Sequence, residues 1–431
     1  MVKNNVNDFN LQSYEKTSEE KTVVKTVVST DPFRDYTPTG FIPLLMQYAR
    51  QKGLFSCFKS LHLERKEIDY SDLDMIKTWI AAIACGCSYT KDINYVLKPY
   101  PGTARMLGLD SFPEQSSCNR FLKAFSWRSL IGLDNSFNQT AKLLYPEDVI
   151  PVLDVDCTGI IANGATYEYN EKGYFPKKRG ERGYQLMYGY ANDFILSLFL
   201  DPGDTSHGAR FWDSYYNVCE NFGPDSIMMI RGDSIHGSGL NIEELMELNQ
   251  AFVLRGYDSR TARKFSQDIP RNQWLDFDDY TSFCDIGWQK ISSCKYPVKI
   301  VIQRIYRPKA DKELYRFICI NIKDLYGDEC IWLYNNRADI ESLIKTEKNG
   351  LHITNLKSRK YTANLAFMYL ASITHNLITA FRNKVLSKIG LENHGIKEIT
   401  KRLMNIPAKI DKDSNLLFPE LHPMVKQMFN N

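Results

Sequence analysis

Four side chains in the C-terminal quarter of the chain join a phenol, a guanidinium, a carboxylate and an ammonium at helical spacing: Tyr334, Arg337, Glu341 and Lys348. Wound at about 100° per residue, they fall at about 0°, −60°, −20° and −40°, one narrow polar stripe, with Leu343 on the opposite face. A carboxylate in such a stripe can ligate a hard cation, and the basic groups beside it can clamp phosphate oxygens. A solvated amphipathic helix carries the same charges, so the stripe needs partners elsewhere before it means chemistry.

Two upstream segments offer those partners. Val152-Leu153-Asp154-Val155-Asp156-Cys157-Thr158 alternates, which sets both aspartates on one strand face and Leu153, Val155 and Cys157 on the other. Ser226-Ile227-Met228-Met229-Ile230 reads as a buried strand running into Arg231-Gly232-Asp233-Ser234, so Asp233 falls at a strand's carboxyl end, where α/β sheets put their chemistry. Carboxylates converging from two strands and a helix are what two-metal phosphoryl transfer requires. Mg²⁺ accepts only a few carboxylates and lets the phosphate complete its shell, and two ions about 4 Å apart activate the attacking oxygen and stabilise the leaving one.

The elements that must position these acids follow from the pattern. The periodicity predicts helices over roughly 40–61 and 72–83, the second opened by Ser71 and acidic first-turn residues, and a third opened by Pro113 that presents Asn119, Arg120 and Lys123 outward, as suits a helix against DNA. From Val149 the texture becomes stranded: 152–158, 185–190, 194–200, a helix over 208–221, strand 226–230, a helix over 242–249 and strand 251–254. That order describes a mixed sheet with a helical layer. Between Arg255 and Asp328 the alternation stops, and strands 297–307 and 314–323 give a β-rich, largely hairpin insertion. A long amphipathic helix over 365–386 and a basic tail with Lys397, Lys401, Arg402, Lys409 and Lys412 close the chain. The expected division is a flexible arm (1–36), an all-α DNA-binding domain (37–147), an α/β core (148–256 and 329–390), the insertion (257–328) and the basic tail (391–431).

At 431 residues the chain has room for two or three domains. A net charge of +3 demands that any nucleic-acid affinity come from locally concentrated basic residues. The ten cysteines include no CxxC pair, and Cys85-Gly86-Cys87 is too tight for the usual zinc spacing, so the thiols fit a reducing compartment as small apolar groups. The polar opening offers no signal peptide, and no apolar run is long enough to span a bilayer.

Here the chain resembles a known family, the DDE transposases of bacterial insertion sequences in the group marked by a Tyr-x2-Arg-x3-Glu-x6-Lys signature. Tyr334, Arg337, Glu341 and Lys348 match that spacing. Asp156-Cys157-Thr158 matches the first-acid motif, and Ile230-Arg231-Gly232-Asp233-Ser234 the second. The likeness covers Pro151 to Lys348, with a looser one over Leu107 to Phe125. It implies a ribonuclease-H-like core in which Asp156, Asp233 and Glu341 are catalytic and hold two Mg²⁺ ions, with Mn²⁺ as a substitute. It also implies that Tyr334, Arg337 and Lys348 grip phosphates, and that a β insertion accounts for the long separation, an offset of 108 residues, from Asp233 to Glu341. Asp154 offers a second acid on the same strand face, and the Asp-x-Thr match favours Asp156. Asp339 and Glu347 fall about 140° from the stripe origin and are poor rivals to Glu341.

In this group an insertion-domain tryptophan can stack on a flipped base; Trp288 and Trp274 are candidates, with core packing as the plainer role. His236, beside the second acid, is either a phosphate or metal contact or an ordinary loop histidine. Lys177, Lys178 and Arg179, with Arg120 and Lys123, are candidate DNA contacts, as are Lys357, Arg359 and Lys360, although exposed loops also gather such residues for solubility. The expected partner is double-stranded DNA, both transposon ends and target, bound by a homodimer paired through the apolar face of Leu365, Met368, Tyr369, Ile373, Leu377 and Phe381. The expected location is the bacterial cytoplasm at the nucleoid. The rival readings are a catalytically silent DNA-binding relative and a structure-specific nuclease on the same core.

Overall fold

The computed structural model describes residues 14–16, 22–24, 35–66, 69–175, 178, 180–291, 293–411, 413–419 and 422–425. Four helices come first: α1 (Phe41–Gln51), α2 (Asp72–Ala84), α3 (Gln115–Ala124) and α4 (Trp127–Leu144). Ser71 opens α2 with a capping box. Its hydroxyl accepts the Asp74 amide at 3.2 Å, and the Asp74 carboxylate accepts the Ser71 amide at 3.1 Å, so two otherwise orphaned donors are satisfied reciprocally. Ser126 and Ser129 open α4 in the same way.

The sheet begins with β1 (Val152–Ile161), β2 (Arg182–Ala191) and β3 (Phe194–Pro202). After α5 (Phe211–Phe222) come β4 (Met229–Gly237), α6 (Gly239–Glu247) and β5 (Phe252–Gly256). β4 lies parallel to β1 and β5 parallel to β4, while β2 and β3 run antiparallel, giving the order β3-β2-β1-β4-β5. The two parallel neighbours of β4 need the crossovers that α5 and α6 supply.

The stretch after β5 forms strands that join the same sheet. After α7 (Ser259–Gln267), β6 (Leu275–Asp278), β7 (Thr281–Gln289), β8 (Val298–Arg307) and β9 (Lys312–Ile320) form an antiparallel meander. β9 then pairs with β5 through Ile318↔Arg255, Cys319↔Leu254 and Ile320↔Val253. One sheet therefore runs from β3 to β6, and the meander covers an edge of β5 that would otherwise expose unpaired backbone groups.

Three helices finish the core: α8 (Gly327–Asn335), α9 (Ala338–Gly350) and α10 (Tyr361–Lys384). Every residue of α10 from Tyr361 to Phe381 is buried, as befits a helix enclosed on all sides. The helical layer covers it through Trp79 on Phe367, Tyr48 on Phe381 and Phe137 on Tyr369, with ring centroids 5.6–5.7 Å apart. The β2–β3 hairpin lies against it too, with Asn376 exchanging hydrogen bonds with the Ile195 backbone at 2.8 Å. This corrects one expectation: the stripe of Leu365, Met368, Tyr369, Ile373, Leu377 and Phe381 is interior to one chain, so it is not a surface on which two chains could meet. The N-terminal helices and the sheet share one continuous apolar core across α10.

The segment after α10 also folds back. Ile396, Ile399, Leu403, Met404 and Ile406 are buried, and Ala408–Ile410 pairs with Tyr36–Thr37. The two described pieces of the N-terminal arm, Tyr14–Lys16 and Thr22–Val24, pair antiparallel. Among the described residues, no helix is long and apolar enough to cross a membrane.

Candidate active site

The site forms where the central strands release one another. β1 pairs with β4 from Val152↔Met229 to Val155↔Gly232, and β4 pairs with β5 continuously only as far as Gly232↔Leu254. Asp156 and Asp233 are thus the first residues past the last common rung. Gly232 permits a tight fold just there, since a Cβ in its place would lie 2.9 Å from Cβ of His236. His236 is fully buried, stacked on Phe211 with centroids 5.2 Å apart, and its Nδ1 lies 3.0 Å from Oδ1 of Asp233. The second reading offered for it, an ordinary loop histidine, does not describe this packed position.

The two aspartates feel opposite environments. Burial, and next the charge of Asp233, push the Asp156 carboxyl above its ordinary range, with Arg337 pulling it back in part. Burial acts on Asp233 the same way, but there His236, Arg337 and the Ile235 amide, which donates to Oδ1 at 3.1 Å, prevail and hold the carboxyl below its ordinary range.

Arg337 stands between the acids. Its Nη1 is 3.6 Å from Oδ2 of Asp156 and its Nη2 3.6 Å from Oε1 of Glu341, distances of ion pairing rather than hydrogen bonding. Nη1 is buried without a hydrogen-bond partner. Burial opposes the guanidinium's charge, yet Tyr334, Asp156 and Asp233 keep its pKa above the ordinary value. Its Cζ sits 5.8 Å from the centroid of the Tyr334 ring.

The polar stripe does not ride on one helix. α8 ends at Asn335 and α9 starts at Ala338, and the joint is tightened by bonds from the Arg337 amide to Tyr334 O and from the Ile340 amide to Arg337 O, both 3.1 Å. Bonds of this i to i+3 kind overwind the backbone, so arithmetic at a constant angle per residue fails across 336–337. Tyr334 consequently points into a buried cluster with Met229, Val253 and Ile331, while Glu341 is largely exposed, its side chain 69% accessible. Lys348 points inward instead: its Nζ donates to Thr158 Oγ1 at 2.5 Å and to Gly159 O at 3.1 Å, fastening α9 to β1 through the threonine of the first-acid motif.

Asp154 is fully occupied. Arg231 grips it bidentately, Nε to Oδ1 and Nη2 to Oδ2 both at 2.6 Å, and reaches Leu333 O with Nη1 at 3.0 Å. Sequence reasoning gave Arg231 no role of its own. The signal was present, because parallel strands in register set Asp154 opposite Arg231.

The other candidates are dispersed. Arg120 and Lys123 are exposed on α3, and Lys178 is exposed in the loop before β2. Lys177 and Arg179 lie outside the described residues. Lys357 and Lys360 spend their ammonium groups on backbone carbonyls, Ser88 O at 2.7 Å for the first and Lys123 O and Phe125 O at 2.8 Å for the second, while Arg359 is exposed. Trp288 is partly exposed on β7, and Trp274 packs under Arg304, whose Cζ is 4.8 Å from the ring centroid.

Asp156 and Asp233 lie mid-strand, where the parallel pairing of β1 with β4 ends, short of the strand end expected for Asp233, and they face the buried guanidinium of Arg337 on an α/β sheet. Residues 39–428 match the family Transposase DDE domain group 1, and the chain belongs to that family. It is a DDE transposase, a DNA-cleaving enzyme. Among solved structures it is similar to a piggyBac transposase synaptic complex with hairpin DNA determined by cryo-EM, with 13% identity, 88% of this chain and 81% of that chain covered, and a TM-score of 0.47. No curated protein matches the chain.

Proposed function

We propose that this transposase cuts DNA at the ends of a bacterial insertion sequence and joins the freed 3′-hydroxyls to target DNA by two-metal phosphoryl transfer on a ribonuclease-H-like core. The observation that carries the reading is the pair Asp156 and Asp233 at the release point of β1 and β4, with the guanidinium of Arg337 between the strands and Glu341. The strand order β3-β2-β1-β4-β5 supports the core assignment.

The donor set fits hard cations. Two half-buried carboxylates already stand against the positive charge of Arg337, whose unpartnered Nη1 is free to take a phosphate oxygen. Among the described residues, no three of the Asp, Glu, His and Cys side chains stand close enough to hold a metal ion together. Asp156 and Asp233 would hold Mg²⁺ or Mn²⁺ from the strands, and Glu341 would complete the set by turning in from its exposed position on α9. When bound, the ions supply Lewis acidity to the scissile phosphate and lower the pKa of the attacking water or hydroxyl.

The chain's own residues do the rest. Asp233, held ionised by His236 and Arg337, keeps its charge through the pH range in which DNA is cut. Arg337, displaced from Asp156 when Glu341 turns in, swings onto a phosphate oxygen and neutralises charge there as the phosphorus is attacked. Tyr334 packs beneath the guanidinium and limits where it can swing. Lys348 binds phosphate only after leaving Thr158, and until then it sets the height of α9 over β1. Arg120, Lys123, Lys177, Lys178 and Arg179 give salt-dependent, sequence-independent contacts to the duplex, and a homodimer forms when two ends are paired.

The test is strand cleavage of a duplex carrying the element's own ends in Mg²⁺, wild type against Asp233→Ala. Product from the wild type alone is expected; equal cleavage by both proteins would overturn the reading.

A further inference from the structure

α9 carries Glu341 on one face, and what fixes that helix lies on another. Glu347 is six residues on, about 9 Å along the axis and about 120° around it. Its side chain is fully buried against His375 of α10, also fully buried, with a hydrogen bond between Oε1 and Nδ1. Nε2 of His375 faces a second acceptor, Asp193 O in the β2–β3 turn, at 2.8 Å. An imidazole with an acceptor on each nitrogen donates from both, which makes it an imidazolium paired with the Glu347 carboxylate.

Two phenols, those of Tyr188 and Tyr190, feel the charge of Glu347, and the Tyr190 hydroxyl has no hydrogen-bond partner. The second oxygen of Glu347 is likewise unpartnered. Tyr188 stands opposite Asp156 in the β1–β2 ladder and Tyr190 opposite Asp154, so these phenols rise from the sheet on the face that carries both aspartates. α10 is itself stitched to the β2–β3 hairpin by Asn376, by His375 and by Arg382, whose Nη2 holds Oδ2 of Asp193 at 2.8 Å. Position therefore passes from the hairpin to α10, and from α10 through His375 to α9. Buried charge at this depth is a poor source of stability compared with apolar side chains of similar volume.

We propose that Glu347 and His375 are positioning residues, a buried charged pair that sets the rotation of α9 and with it the approach of Glu341 to Asp156 and Asp233. The consequence for catalysis rests on the transposase reading above; the consequence for α9 does not.

The experiment uses the full chain and the double variant E347L/H375L, in which both charges leave together and the volume stays filled. The variant is expected to fold cooperatively, because matched apolar replacements of buried ion pairs are tolerated. Hydrogen exchange of the α9 amides is expected to accelerate while that of α10 stays slow. End cleavage is expected to lose about 10²-fold in kcat with KM for DNA unchanged, the effect of displacing a catalytic group without removing it. E347Q, which keeps the shape and an acceptor for Nδ1, is expected to recover part of that loss and serves as the readout should the double variant not fold. Wild-type kcat in folded E347L/H375L, or in E347Q when that is the folded variant, overturns the proposal, whether or not α9 loosens. Should the wild type cut no end DNA, the functional reading fails alone, and unchanged α9 exchange in the folded variant would then overturn this one.

Discussion

Two aspartates two residues apart on β1 each face an arginine, and the two pairs differ in kind. Asp154 and Arg231 are joined by two parallel hydrogen bonds of 2.6 Å, and the guanidinium's remaining nitrogen is spent on Leu333 O. Asp156 and Arg337 stand 3.6 Å apart with no hydrogen bond between them, and Nη1 has no hydrogen-bond partner at all. The first pair lies where β1 and β4 are still in register, so backbone geometry brings the side chains together. The second lies one rung beyond, where the arginine arrives from a helix joint instead of a strand. A closed, fully bonded pair can only hold the fold. An open one leaves both charges available to other partners, which is the property a catalytic pocket needs.

The contrast breaks most visibly at Asp156. D156N is expected to reduce end cleavage by about 10³-fold, while the melting temperature holds or rises because a desolvated carboxyl has been replaced by an amide. D154N should do the reverse. It strands the buried Arg231 and is expected to cost about 3–5 kcal/mol in denaturant unfolding, with kcat per folded molecule close to wild type. R231K sharpens the comparison by keeping the charge and losing the fork. Its expected cost is about 1.5 kcal/mol, again without an effect on kcat. Should D154N lose activity while staying folded, the division between the two pairs would be wrong.

Much of this was legible in the residues. The alternation of 152–158 placed β1 and put both aspartates on one face, and Ser71 marked the start of α2. Alternation alone left Asp154 and Asp156 both open, and the choice of Asp156 came from the resemblance to the family's first-acid motif. What escaped was non-local. Nothing in 297–323 says that β9 will dock on β5, because an antiparallel meander closed on itself has the same pattern as one added to a sheet. α4 went unread beside its capped neighbours, although Ser126 signals its start as Ser71 does for α2. The break at 336–337 escaped because no glycine or proline marks it. Glu347 was set aside for lying off the stripe, and that displacement is what carries it inward to His375.

The smallest expected effect concerns this third charged pair, which is closed like Asp154 and Arg231 yet titratable. Burial acts to lower the pKa of His375, but the charge of Glu347, its hydrogen bond and the Asp193 carbonyl outweigh burial and raise it above the ordinary value of 6.5. The groups facing it are Glu347 from α9, Tyr190 from β2 and Asp193 from the hairpin turn. A folded-state pKa above the unfolded one means that the native protein holds the proton more tightly. The contribution is therefore complete below pH 6.5 and is lost as pH rises through the folded value. Urea midpoints measured from pH 6 upward are expected to fall for the wild type, and to fall less for H375Q, which has no proton to lose. The difference between the two curves isolates the histidine from every other group titrating in that range. A wild-type curve that parallels H375Q would mean the imidazole is not held charged, and the pair would then belong with neither the closed nor the open kind.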